Sequence, residues 1–179
     1  MTGSERSPIS FPVDVRRLPQ KGFPLVISPD TKALAELATA HGIVSVEFFR
    51  AELLLTNWKR GGVMVTGRVR AEIVQECVVT LEPMGAMIDE AVETVFVPEG
   101  SPLAREEVAD GELFLSADGP DGPETFDGQT IDAGALAEEF FALGIDPYPR
   151  KQGAAVPGAD TGDAEASPFA TLRSLVRKS

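Results

Sequence analysis

The clearest pattern in the chain is an alternation of apolar and polar residues in VMVTGRVRAEI, residues 63–73. A period of two predicts a β-strand with one buried face and one wet face. The same parity continues past this segment and predicts that the lone thiol also points inward. The predicted inner positions are Val63, Val65, Val69, Ala71, Ile73, Cys77, Val79 and Leu81.

A second alternating segment lies just upstream and changes phase at Phe48-Phe49. Val46 shares the parity of Phe48, whereas the apolar residues that follow share the parity of Phe49. This change predicts a bulge or a sharp bend. The glycines in residues 57–62 predict a turn, and a further strand is predicted over residues 87–97. Long consecutive strands with short turns favour an antiparallel meander.

The first of two predicted helices lies near residues 30–41. Ser28-Pro29-Asp30 predicts its start, with a hydroxyl cap, a proline at the first helical position and an acid near the positive helix end. Gly42 predicts its end. His41 falls in the last turn, where we expect a capping or packed histidine rather than a catalytic one.

The second predicted helix covers residues 132–145, with Asp132 as its cap and Pro147 as its stop. Its apolar stripe predicts packing against the sheet. The stripe consists of Leu136, Phe140 and Leu143, flanked by Phe141 and Ile145.

Residues 1–151 are predicted to form a single α+β domain that contains an acidic loop, residues 99–128. This loop holds nine Asp/Glu against a single Arg, and Glu112 to Leu115 are a candidate short strand within it. Residues 152–167 are small and polar, which predicts a flexible linker. Residues 168–179 are predicted to form a short tail helix that either folds back on the sheet or meets a partner. Its apolar residues are Phe169, Leu172, Leu175 and Val176, and its cations are Arg173, Arg177 and Lys178.

Composition excludes some classes of protein. With 43% hydrophobic residues among 179, the chain can bury a core, and much of its net charge of −12 comes from the acidic loop. One cysteine and one histidine cannot form an internal disulfide or complete a four-ligand zinc site within one chain. The start lacks a signal-peptide core, and no apolar run is long enough to cross a membrane. A cytoplasmic protein without a membrane partner is therefore expected.

Catalytic candidates are few. Cys77 is expected to behave as a small hydrophobe with a raised pKa. Phosphate-cradling glycine patterns are absent, and Glu138-Glu139 point about 100° apart on a helix. We expect no catalytic residue, no metal, no cofactor and no small-molecule ligand. A metal-dependent hydrolase or nuclease is the alternative, with the loop carboxylates Asp110, Glu112, Asp118 and Asp121 as its candidate ligands.

Basic residues around the long strand are candidates for partner or RNA binding. Arg68 and Arg70 share its wet face, and Trp58-Lys59-Arg60 occupy the preceding turn. A cationic, partly aromatic ridge suits phosphates or unpaired bases. The favoured alternative is an ordinary solvated face on which the arginines pair with acids across the strands. The expected acids are Glu47, Glu52 and Glu72.

The exit from the second helix, IDPYPRK, is stiff and basic. Its two prolines hold the backbone near polyproline II, so Tyr148, Arg150 and Lys151 should leave the helix in a fixed direction. Such an exit loses little entropy on binding and so favours recognition. It would equally serve to stop the helix and lay the tyrosine over the edge of the core.

Two segments together resemble the YceD family, the large ribosomal RNA subunit accumulation proteins. VTGRVRAEIVQECVVTLEPMGAMIDE is similar to its strand–Cys–strand signature. FDGQTIDAGALAEEFFALGIDPYPRKQGA is similar to its second signature, in the form found in alphaproteobacterial members, and SPFATL resembles the tail helix of that branch. The matching positions are Gly67, Cys77, Leu81, Glu82 and Pro83, then Ile131, Asp132, Glu139, Leu143, Asp146, Pro147, Tyr148, Pro149 and Arg150.

The resemblance implies a non-catalytic bacterial factor for the production or processing of large-subunit ribosomal RNA. Some relatives carry further cysteines near both signatures, but those positions hold no cysteine here, so no metal site is carried over. Its partner would be ribosomal RNA, a ribosomal protein or a processing enzyme. A protein-only adaptor that acts through the tail helix is a further alternative.

The expected fold is α+β: a bent antiparallel sheet covered by two helices, with closure of the sheet into a barrel left open. Signature residues expected to be structural are Gly67, Cys77, Leu81, Pro83, Asp132, Glu139, Pro147 and Pro149.

Overall fold

The computed structural model of the protein describes residues 6–104, 108–109, 112–113, 123–127 and 129–154. The predicted tail helix, most of the predicted linker and half of the acidic loop lie outside these residues. The helices are α1 (Thr31–Ala40) and α2 (Ala133–Leu143). The strands are β1 (Pro12–Asp14), β2 (Phe23–Ile27), β3 (Ser45–Asn57), β4 (Val63–Glu76), β5 (Pro83–Pro98), β6 (Val108–Ala109), β7 (Glu112–Leu113), β8 (Glu124–Phe126) and β9 (Thr130–Asp132).

The main sheet has five strands in the order β2-β3-β4-β5-β8. Strands β3 to β5 form the predicted antiparallel meander, and β2, which was not predicted, adds to it antiparallel to β3. This sheet with its two helices confirms the α+β class. The meander prediction missed the last strand, because β8 runs parallel to β5. Within the described residues the sheet remains open, with β2 and β8 at its edges. β6 and β7 form a separate two-residue pair, so the first half of the predicted Glu112–Leu115 strand is extended, and its second half lies outside the described residues.

The predicted alternation along β4 is confirmed. The odd positions from Val63 to Ile73 are buried, except for half-buried Gly67, whereas Arg68, Arg70 and Glu72 are exposed. The prediction that this parity continues to Leu81 was wrong. β4 ends at Glu76, and residues 77–82 turn back toward β5. Cys77 remains buried, whereas Leu81 has a φ of +56° and is 71% exposed. Parity can be extrapolated only while the backbone remains extended.

The predicted bulge in β3 is confirmed. The register with β4 passes from Val46 opposite Ile73 to Phe48 opposite Glu72, which leaves Glu47 as the extra residue. The buried phase accordingly changes between Val46 and Phe49. Without this extra residue, one half of β3 would present its apolar side chains to solvent.

The start of α1 differs from the prediction. Asp30, not Ser28, is its N-cap, and the Asp30 carboxylate accepts a hydrogen bond from the Ala33 amide at 2.9 Å. Pro29 therefore precedes the helix instead of opening it. The end agrees with the prediction, because Gly42 follows the C-cap residue with a φ of +63°. Asp30 is a more favourable N-cap than Ser28 because its carboxylate both accepts a hydrogen bond from a helix amide and interacts favourably with the positive end of the helix dipole.

Helix α2 begins as predicted, with Asp132 accepting hydrogen bonds from the amides of Gly134 and Ala135 at 3.0 Å each. Its buried face was only partly predicted, because Leu143 is 75% exposed. The helix also ends before Pro147, with Gly144 as its C-cap. A Cβ at Gly144 would lie 2.5 Å from Ile88 Cγ2, so a larger residue here would force the Ile88 side chain on β5 to shift. The residues buried on α2 are Ala133, Gly134, Leu136, Ala137 and Phe141.

The N-terminal segment was not predicted to form structure, yet β1 pairs antiparallel with β9. Ile9 passes over the start of α2, where a Cβ on Gly134 would lie 1.8 Å from the Ile9 oxygen. Asp132 also accepts hydrogen bonds from the Phe11 amide and the Ser10 hydroxyl. Burial would raise the pKa of Asp132, but the hydrogen bonds from Ser10 and from the backbone lower it below its usual value. This carboxylate joins the N-terminal segment to α2.

One contiguous hydrophobic core fills the space between the two helices and one face of the sheet. Phe141 of α2 lies at its centre and contacts Phe49 edge-on, with ring centroids 5.6 Å apart. The opposite face of the sheet is left to solvent in the described part of the chain.

Candidate functional site

The exposed side of the sheet, which we call the open sheet face, carries both arginines that the sequence singled out. Arg68 Nη1 lies 3.3 Å from Asp89 Oδ2. Arg70 lies 3.6 Å from Glu52 on one side and 3.6 Å from Asp89 on the other. Cross-strand pairing was the favoured alternative, and Glu52 is confirmed as a partner, whereas Asp89 was not foreseen. The expected acids Glu47 and Glu72 form no ion pair within the described residues.

Charges on the open sheet face nearly balance. Arg50 also pairs with Glu52, at 3.0 Å, so three arginines and two acids form a network across β3, β4 and β5. Large apolar side chains surround this network and are exposed, among them Met87 at 82%. The open sheet face comprises Val26, Phe48, Arg50, Glu52, Leu54, Arg68, Arg70, Glu72, Met87, Asp89, Ala91 and Glu93.

The predicted turn at residues 57–62 is confirmed and closes the β3–β4 hairpin. The Trp58 amide donates to the Gly62 oxygen at 2.7 Å, and Arg60 takes a φ of +56°. Lys59 Nζ lies 5.8 Å from the centre of the half-buried Trp58 ring. The lysine and the tryptophan therefore contact each other.

The stiff exit after α2 packs against the turn that follows β4. Pro149 is buried, and its oxygen accepts a hydrogen bond from the Val78 amide at 2.9 Å. Lys151 Nζ forms an ion pair with Glu82 at 2.8 Å. Tyr148 and Arg150 remain exposed. We call this region, residues 146–151 with the turn at residues 77–82, the exit corner.

Cys77 lies at the centre of the exit corner. The Lys151 amide donates to its sulfur at 3.4 Å. Hydrogen bonds from the Thr80 hydroxyl and from the amides of Lys151, Thr80 and Val79 lower the pKa of Cys77 to about 6, against the opposing effect of burial. The expected rise of this pKa was therefore wrong, because amides directed at the sulfur favour the thiolate more than burial disfavours it.

The sequence-predicted contact residues fall into three separate groups. The turn with Trp58, Lys59 and Arg60 lies at the Val63 end of β4, and the exit corner lies at the other end. A strand of 14 residues separates them, a length of roughly 45 Å. The open sheet face with Arg68 and Arg70 is on the opposite side of the sheet from the exit corner, since Gln75, on the buried side of β4, donates to the Asp146 oxygen at 2.8 Å.

A feature that the sequence reasoning missed is a groove of about 950 Å³ between α1 and α2. His41, the C-cap of α1, packs edge-on against Phe141, in agreement with the expectation of a capping or packed histidine. Its Nε2 also lies 3.0 Å from Glu138 Oε1, a contact between residues 97 positions apart. No local pattern in the sequence signals such a pair.

Carboxylates next to this groove influence one another. Partial burial, and then the charge of Glu138, raise the pKa of Glu139. Partial burial, and then the charge of Glu139, raise the pKa of Glu124. Among the described residues, no group of three or more histidine, cysteine or acidic side chains is arranged to hold a metal ion. The four loop carboxylates of the hydrolase alternative lie outside the described residues or, for Glu112, are described only in the backbone.

Two further signature residues have clear structural roles. A Cβ on Gly67 would lie 2.1 Å from the Glu52 oxygen, so β3 and β4 approach one another where only glycine fits. Pro83 begins β5, immediately after the turn that contains Cys77.

A protein-family model described as "Large ribosomal RNA subunit accumulation protein YceD" matches residues 65–175, more than half of the chain. No curated protein and no solved structure matches the chain. Neither described helix has the length and apolar character needed to cross a membrane.

Proposed function

The chain belongs to the YceD family, and from this membership we propose that it supports the accumulation of large-subunit ribosomal RNA by binding a protein of ribosome assembly. The open sheet face is the proposed contact surface. In this proposal the protein acts as a binding factor in the cytoplasm and catalyses no reaction. The family is named for the accumulation of ribosomal RNA and not for an enzymatic reaction.

The composition of the open sheet face is the observation that carries this proposal. Exposed Phe48 and Met87 flank Glu72 in one row across β3, β4 and β5. Apolar side chains around a charge-paired centre are typical of surfaces that bury against another protein. A partner that covers this face would bury the apolar side chains and could keep the arginine–acid pairs.

The charge balance of this face favours a protein partner over an RNA backbone. RNA binding gains affinity when unpaired cations replace counterions on the phosphates. Here Arg68 and Arg70 already have carboxylate partners, and an RNA strand would have to displace Asp89 and Glu52. A protein with complementary mixed charge faces no such competition.

Direct contact with RNA at the exit corner is a second candidate. Tyr148 is 73% exposed, and Arg150, two residues further on, is exposed as well. Hydrogen bonds hold the backbone on both sides of it, since Asp146 caps the Tyr148 amide at 2.9 Å and Val78 binds Pro149. An aromatic ring and a guanidinium on a stiff backbone suit the stacking of an unpaired base.

The test replaces the chromosomal copy with single variants and measures the ratio of large- to small-subunit ribosomal RNA. Phe48→Ser and Met87→Ser should lower this ratio and reduce recovery of a crosslinked protein partner. Leu143→Ser is the matched control, because Leu143 is as exposed as Met87 but lies on the helical side. A normal ratio after depletion of the whole protein would overturn the proposal.

Two further variants, at the exit corner, separate the two candidate contact surfaces. If Tyr148→Ser and Arg150→Ser lower the ratio while Phe48→Ser does not, the exit corner is the contact surface. Crosslinking should then recover RNA instead of a protein partner, and the amount of RNA recovered should fall steeply as the salt concentration rises.

A further inference from the structure

The groove between α1 and α2 has a floor of small side chains. Ala35 and Thr39 line it from α1, and Ala135 and Ala142 line it from α2. Ala35 and Thr39 are exposed although they lie one helical turn apart on the same side of the helix. Small side chains at these positions leave a concave surface that large apolar side chains could fill.

The α2 side of this groove is acidic. Glu138 and Glu139 line it, Glu36 lines it from α1, and the cations Arg6 and Lys32 also line the groove. His41 engages Glu138, and Lys32 engages Glu36 at 3.5 Å. Glu139 forms no ion pair within the described residues, and its pKa is raised by burial and by its neighbour Glu138. A cation placed beside Glu139 would relieve this repulsion.

The tail of the same chain has the complementary chemistry. Residues 167–179, SPFATLRSLVRKS, contain no acid and three cations. Four apolar residues recur at the spacing of one helical face, and Ser167-Pro168 is a helix start signal. The cations are Arg173, Arg177 and Lys178, and the apolar residues are Phe169, Leu172, Leu175 and Val176.

The connection is long enough for the tail to reach the groove. Structure is described up to Ala154, which follows the exit corner. Ala142 of the groove lies only two residues before Gly144, the end of α2. Residues 155–166 can span up to about 40 Å, whereas the whole of α2 is about 16 Å long. The family match runs on to residue 175, so the part of the chain shared with the family includes most of the tail.

We propose that residues 168–179 dock as a helix in the groove between α1 and α2, with their apolar face on the alanine floor and their cations beside Glu138 and Glu139. The occupant is a segment of the same chain, so its effective concentration is high, in the millimolar range for flexible links of this kind. The docked tail adds a third helix to the layer on the covered side of the sheet. This proposal is independent of the partner that the open sheet face binds.

Alanine-methyl NMR of the full chain tests the docking. Leu172→Asp should lower the ratio of docked to free tail at least about tenfold, because it replaces a buried apolar side chain with a carboxylate. The methyl signals of Ala35, Ala135 and Ala142 should then shift, while Ala91 on the open sheet face should not. Ser174→Asp is the matched control, since it adds the same charge on the opposite side of the tail helix and should leave all four signals in place.

Two outcomes would overturn the proposal. Equal spectra for Leu172→Asp and the unmodified chain would show that the tail does not cover the groove. Groove signals that move on hundredfold dilution would assign the groove to a second copy of the protein. A smaller effect, about twofold, is expected for Glu139→Gln, with Glu93→Gln on the open sheet face as its control.

Discussion

The two faces of the main sheet are built from the same strands yet differ in almost every property. On the covered face, Phe141 and Phe49 meet edge-on inside a continuous core. On the open sheet face, arginines and acids pair across strands among exposed apolar side chains. We expect the covered face to supply most of the stability of the fold and the open sheet face, the proposed contact surface, to contribute little to it. Substitutions should separate these two roles.

The largest effect is expected from Phe141→Ala, on the covered face. Phe141 is fully buried and contacts both His41 and Phe49, so its loss should lower the free energy of unfolding by about 3–5 kcal/mol. Urea unfolding followed by circular dichroism measures this change. Leu143→Ala on the same helix is the control, and a change within about 0.5 kcal/mol is expected because Leu143 is 75% exposed. Equal losses for the two variants would contradict the assignment of the buried face of α2.

Asp132→Ala should cost less than the loss of Phe141 but more than a typical surface change. It removes the N-cap of α2, and such caps contribute about 1 kcal/mol. The pKa of Asp132 is lower in the folded protein than in the unfolded chain. The Asp132 carboxylate therefore contributes its full stabilisation of the fold above the pKa of the unfolded chain, and this stabilisation is lost as the pH falls through the pKa of the folded protein.

Unfolding measured between pH 3 and pH 6 tests this sign. The stability difference between the native protein and Asp132→Ala should shrink as the pH falls. Asp127, in the loop between β8 and β9, supplies the control substitution Asp127→Ala. A difference that stays constant over this range would contradict the proposed role of the carboxylate.

Cys77 should also stabilise the fold in a way that depends on pH, but at a higher pH than Asp132. Its pKa in the folded protein is about 6, below the usual value of a thiol. The contribution to stability is thus greatest above the unfolded pKa, about 8.5, and is lost as the pH falls through about 6. Thiolate absorbance at 240 nm should titrate near pH 6 in the folded protein, and the gain in stability from pH 6 to pH 9 should disappear in Cys77→Ser. Titration near pH 8.5 would contradict the hydrogen-bonding arrangement at the exit corner.

The smallest effect on stability is expected from Arg70→Ala on the open sheet face. Its ion pairs with Glu52 and Asp89 are half exposed, so the free energy of unfolding should change by at most about 0.5 kcal/mol. Thermal unfolding provides the measurement, and Arg16→Ala, another exposed ion-paired arginine, provides the comparison. A loss of unfolding free energy as large as that of Phe141→Ala would mean that the open sheet face supplies much of the stability of the fold. Its proposed role as a contact surface would then be undermined.

Much of the fold could be predicted because its signals are local. The burial of alternate residues in β4, the bulge in β3 and the Asp132 cap each follow from a few neighbouring residues. The candidate contact residues were also local in origin, and the structure places them in three separate regions. A sequence pattern indicates which side chains share a strand face, but it does not indicate which distant segments meet.

What the sequence by itself determined is the class of the fold, the phase of its long strands and the membership of a family through two separated motifs. Tertiary structure decided that Leu143 faces solvent, that β8 runs parallel to β5 and that Cys77 receives the Lys151 amide. It also decided that His41 meets Glu138 beside the groove. The physical reason is that periodicity and capping involve residues within one or two turns of each other, whereas these contacts join segments that only packing of the whole core brings together.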